Sequence, residues 1–168
     1  MKTLIVAFCL LTSIAFAAQE QIRTYDKKPY LLSDSEVTAM KEQIRRQCNL
    51  PKANEGSYPW YYHYELGLAL QNKNDWQRAL DSFLSALDRH DQPKRASRIY
   101  GMWYLDYYPY YNIGLANYHL GNWKCASESF RLSQTLENIP ANTREYRNLL
   151  EYRNDVENHL NTVQPPEN

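Results

Sequence analysis

The side chains equipped for chemistry are few and scattered. The four histidines, His63, His90, His119 and His159, form no His-x3-His or His-Glu-x2-His spacing, so the sequence predicts no metal site. Asp75 and Asp106 have no neighbouring carboxylate with which to divide acid and base roles. Cys125 and His119 stand six residues apart across a turn, which reads as chance proximity rather than a nucleophile with its base. Only five glycines occur, too dispersed for a loop that cradles phosphate, so no cofactor is expected. An enzyme would need His119, Cys125 and an acid to meet in a cleft.

What the sequence has in quantity is tyrosine. Fifteen occur, most of them between Tyr58 and Tyr118. A tyrosine ring gives broad apolar contact with a hydroxyl tip and few torsions to freeze, which suits recognition as well as a core. Lys and Arg balance Asp and Glu at 19 each, so no basic excess points to nucleic acid or to an anionic membrane. The charges are mixed, with Lys27-Lys28 and Arg45-Arg46 only short doublets.

The elements that must position these rings repeat. Laying Leu66-Gly67 on Ile113-Gly114 matches Tyr61, Tyr64, Ala69, Trp76, Ala79, Phe83 and Pro93 with Tyr108, Tyr111, Ala116, Trp123, Ala126, Phe130 and Pro140, all at one shift of 47 residues. Tyr61, Tyr64, Leu68 and Gln71 recur at helical period and define a first helix. Turns fall at 73–75 and 120–122, and Ala79, Phe83 and Ala86 share one face of a second helix. Gly67 and Ala79 are small where two helices approach, Phe83 fills the space beside them, and Pro93 closes the unit.

This order of Leu-Gly, Ala, Phe, Ala and Pro resembles the tetratricopeptide repeat, a helix-turn-helix unit of about 34 residues. Leu66, Gly67, Ala79, Phe83, Ala86 and Pro93 carry the resemblance in the first copy. Ile113, Gly114, Ala126, Phe130 and Pro140 carry it in the second, where Ser133 replaces the last alanine. His63 and Tyr110 stand where the family favours Trp, and Leu70 and Asn117 where it favours Tyr. The resemblance covers residues 60–93 and 107–140. It implies an all-α repeat solenoid with two repeats and flanking capping helices. It also implies a concave groove lined by the first helix of each unit: Tyr61, Tyr64, Leu68, Gln71 and Asn72, then Tyr108, Tyr111, Leu115, Tyr118 and His119. The family's clamp for a terminal carboxylate uses Lys, Asn and Arg; the corresponding Tyr64, Leu68, Tyr111 and Leu115 leave it absent.

An array of two units needs end caps. Ser33-Asp34-Ser35-Glu36 reads as a capping box before Val37, Met40, Ile44 and Cys48 at helical spacing. Asn142 and Glu145 begin an end helix over about 142–161, expected to pack on the helix of Phe130. Residues 18–32 and 163–168 lack periodicity. The aromatic insertion at 94–106 reads as an upstream extension of the following helix or a short extra helix, with Pro109 at a helix start or kink.

Lys2, the apolar run Leu4–Ile14 and Ala15-Phe16-Ala17 form a secretory leader of 1–17, cut near Ala17-Ala18. It is too short to anchor in a bilayer, and Cys9 within the run, after bulky Phe8, does not suit lipidation. Its removal leaves 151 residues, enough for one domain with a core, carrying 18 basic and 19 acidic groups. Cys48 and Cys125 are then the two thiols of an oxidising compartment, paired as one disulfide or held as two buried thiols. The expected function is a non-catalytic binding or scaffold protein of the periplasm or secreted space, taking a protein or peptide segment in the groove. A glycan-binding module and a subunit of a homo-oligomer are the alternatives.

Overall fold

The computed structural model describes residues 33–48 and 58–163. The leader, Cys9, the segment 18–32 and residues 164–168 lie outside them. The chain is mostly helical: α1 (Asp34–Gln47), α2 (Trp60–Gln71), α3 (Trp76–Arg89), a strand pair β1 (Lys94–Tyr100) and β2 (Trp103–Tyr107), then α4 (Pro109–His119), α5 (Trp123–Leu136) and α6 (Arg144–Val163).

The helical hairpins α2–α3 and α4–α5 are built alike, from the same local signals. Pro59, extended at φ −68°, ψ 159°, caps α2, and Pro109 opens α4, where a missing N–H costs nothing. Each turn is closed by a residue in the left-handed region, Asn74 at φ 58° and Gly121 at φ 74°, which stand 47 positions apart. Asp75 N donates to Leu70 O at 3.0 Å, and Asn122 N to Asn117 O at 2.8 Å. A Cβ on Gly67 would lie 2.5 Å from Phe83 Cε1, and one on Gly114 would lie 2.5 Å from Phe130 Cδ1. In both hairpins a ring lies flat against the glycine of the facing helix, and both rings are fully buried.

Three clusters make the core. Tyr64, Phe83, Leu80, Tyr107 and Ile113 join α2, α3 and α4. Tyr111, Leu115, Phe130, Leu149 and Val156 join α4, α5 and α6. Ile44 of α1 packs with Tyr110 and Leu132, and Cys48 is disulfide-bonded to Cys125 with Cα atoms 5.7 Å apart. Helix α1 therefore lies against α5. The hydroxyls of Ser33 and Ser35 are 3.0 Å apart, and the Glu36 side chain of the expected capping box lies outside what is described. Thr143, not Asn142, caps α6, its Oγ1 accepting from Tyr146 N at 3.2 Å.

The insertion at 94–106 corrects the helical expectation, and with it the all-α class: it is an antiparallel hairpin. Pro93 and Gly101 punctuate it, Ile99 and the aromatic residues favour strands, and each strand finds its partner across a two-residue loop. Gly101 at φ +55° supplies the positive φ that such a loop demands at its first position. Ser97 faces Leu105, Arg98 faces Tyr104 and Tyr100 faces Trp103, with a bulge between Lys94 and Ser97. At that bulge Ala96 adopts φ +49°, and its N–H donates to Asp106 Oδ1 at 2.8 Å.

Candidate functional site

Four of the ten residues expected to line a groove are interior. Tyr64, Tyr108, Tyr111 and Leu115 are each at most 5% exposed. The reason is the surroundings of α4: α3, α5 and α6 all pack against it, so residues 109–117 are buried on every face. Its start is sealed by side chains from elsewhere in the chain. Tyr64 Oη accepts from Tyr108 N at 3.0 Å and from Asn112 Nδ2 at 2.9 Å, and donates to Asp106 O at 3.2 Å. Glu137 Oε1 accepts from Tyr110 N at 2.6 Å, and Oε2 from Tyr111 N at 3.0 Å and Ser133 Oγ at 2.7 Å. Pro109 has no N–H, so these contacts satisfy the donors of the first turn. Burial pushes the Glu137 carboxyl up to about 8, against the pull of its three hydrogen bonds. Burial likewise raises the phenol of Tyr64 far above its usual range.

The other six remain accessible: Tyr61, Leu68, Gln71 and Tyr118 are half-buried, and Asn72 and His119 are exposed. Tyr118 and His119 enter an aromatic band that runs from α3 to α6. Trp76 stacks on His119 with centroids 3.8 Å apart, and Trp123 lies 4.1 Å from His159. Tyr118 makes edge contacts with Trp123 and Tyr152, at 5.4 and 4.7 Å, and donates from Oη to Asp155. That bond, and then burial, push its phenol up to about 12. Trp60 stacks on His90 at 4.6 Å. Two histidines thus stack on tryptophan, and a third, His159, lies tilted against Trp123. Trp76 and Trp123 were recognisable as members of this band from their shared shift of 47. His159 and Tyr152 were not, because α6 lies outside the repeat.

Large apolar side chains left in solvent concentrate at two places. Tyr62 and Leu66, four residues apart on α2, are 43% and 39% exposed, and Tyr58, which precedes the cap Pro59, is 56% exposed with its ring stacked on Tyr62 at 4.4 Å. On the β-hairpin, Tyr100, Met102, Trp103 and Tyr104 are exposed around the turn. Sequence reading missed both, since exposure is decided by what packs alongside. Among the described residues no group of three or more His, Cys, Asp or Glu side chains could hold a metal ion, and no helix is long and apolar enough to cross a membrane. Cys125 carries no free thiol, being bonded to Cys48. Comparison with family models, with curated proteins and with solved structures gives no match.

Proposed function

We propose that this is a non-catalytic binding protein of the periplasm or secreted space, built on two tetratricopeptide-like units, which takes a helical segment of a partner protein. The repeat reading is supported by hydrogen bonds and Gly–Phe contacts that recur at the shift of 47. The binding reading rests on one observation, the exposed patch of Tyr58, Tyr62 and Leu66. Tyr62 and Leu66 stand four apart on α2, the spacing of a ridge that a second helix packs against, and Tyr58, just before the helix, widens it with a ring stacked on Tyr62. The accessible Tyr61, Leu68, Gln71 and Asn72 of the same helix extend the contact.

A photo-crosslinking residue at position 62, in the cell that makes the protein, should yield a discrete adduct with another protein, absent when the residue is placed at exposed Lys124 of α5. Identical adducts from both positions, or none from 62, would sink the reading. N-terminal sequencing of the exported protein should begin at Ala18. Glycan binding is the second reading, favoured by the half-exposed rings of Trp76, Tyr118, Trp123 and Tyr152. A glycan array with Trp76→Ala as control separates the two.

A further inference from the structure

The β-hairpin does more than connect α3 to α4. Its tip carries Tyr100, Met102, Trp103 and Tyr104 at 76%, 83%, 72% and 54% exposure. A connection under no other demand would be polar here. Trp103 lies four residues beyond the buried Tyr107, roughly 13 Å of extended chain, so the apolar group is held away from the core. Charge adds a second observation. The chain as a whole is neutral, but the hairpin holds Lys94, Arg95 and Arg98, all exposed, against the single carboxylate Asp106, a local balance of +2. Asp91 sits in the link before β1, and Glu145 lies near Tyr108 at the base of the hairpin. Arg98 is fixed beside the tip, its Nε donating to Gly101 O at 2.7 Å.

We propose that this tip is a peripheral membrane contact. Tyr100, Met102, Trp103 and Tyr104 enter the boundary between headgroups and acyl chains of a bilayer carrying anionic lipid, and Lys94, Arg95 and Arg98 meet its phosphates. Tryptophan and tyrosine are the side chains that settle at that boundary, an apolar ring below and a polar atom above. Basic residues beside them add attraction to an anionic leaflet. One feature speaks against a strand-adding protein as the occupant. The bulge at Ala96 interrupts the outer edge of β1, which discourages addition of a foreign strand. The contact is separate from the α2 ridge, so the two proposals stand or fall independently.

The test is co-sedimentation of the protein with vesicles of phosphatidylcholine alone and of phosphatidylcholine with phosphatidylglycerol at about 3:1. Binding is expected to the anionic vesicles, to weaken as salt rises, and to fall at least tenfold in Met102→Ser/Trp103→Ser. Lys94→Gln/Arg95→Gln/Arg98→Gln should reduce binding to anionic vesicles while leaving the weak binding to neutral ones unchanged. Both variants are at exposed positions, and an unchanged Tm shows that the fold is kept. No sedimentation with anionic vesicles overturns the proposal, as does equal sedimentation of the tip variant. A tip variant that loses a crosslinked protein partner, yet binds vesicles as before, assigns the surface to that protein instead.

Discussion

The two helical hairpins are the same object placed in different company. The left-handed turn position, the backbone hydrogen bond that follows it and the Gly–Phe contact recur at one shift, though Asp75 caps α3 with its side chain and Asn122 does not cap α5 in this way. What also differs is burial at matched positions. Leu66 is 39% exposed and its counterpart Ile113 is 2% exposed. Glu65 is exposed, whereas its counterpart Asn112 is buried and donates to Tyr64 Oη and Tyr108 O. His90 stacks on Trp60, whereas its counterpart Glu137 caps α4 from within the core. The repeat fixes how a hairpin folds on itself; its neighbours decide which residue each position tolerates.

The comparison can be broken first at its shared element. Phe83→Ala and Phe130→Ala each empty a fully buried site and should cost about 3–5 kcal/mol in urea unfolding. Equal losses would show the two hairpins to be energetically equivalent as well as geometrically alike. A sharper contrast is Ile113→Ala against Leu66→Ala: about 2–5 kcal/mol for the buried member and below about 1 kcal/mol for the exposed one. Equal costs would mean that the α2 ridge is covered in solution.

The third test exploits Glu137. Its carboxyl is raised when folded, so between the ordinary value near 4.5 and about 8 the folded state holds a proton that the unfolded state has lost. Stability is then greatest at the acid end of that window, declines as pH rises through it and levels off above about 8. Glu137→Gln should flatten the decline in a series of Tm against pH; a slope that persists in the variant would assign it to another group. A smaller effect is expected of Tyr64→Phe, which leaves Tyr108 N–H and Asp106 O without their partner while Asn112 Nδ2 keeps Tyr108 O, and should cost about 1–2 kcal/mol. Tyr61→Phe, on the half-buried neighbour, should cost less than about 0.5 kcal/mol.

The mostly helical fold was legible because period, turn residues and the small-large pair of Gly67 and Phe83 are local signals. The β-hairpin was not, because strand pairing sets residues such as Lys94 and Tyr107 side by side without a fixed spacing, and the bulge breaks the alternation that marks a strand. The burial of four of the ten expected groove residues was hidden for a different reason. Helix α4 is buried on every side, Asn112 and Asn117 included with Tyr110, Tyr111, Ile113 and Leu115, so periodicity names no solvent face. Neighbours distant in sequence turned those tyrosines into core: α6 against Tyr111, Ile44 of α1 against Tyr110, and Glu137 at the helix start.

The disulfide between Cys48 and Cys125 spans 77 positions and encloses α2, α3, the β-hairpin and α4. Topologically the protein is a ring with two tails, one leaving from each cysteine. A single proteolytic nick at the protruding tip, with Arg98 as a trypsin site, would open the ring without dividing the molecule. A cut at this exposed tip therefore releases no fragment while the disulfide holds.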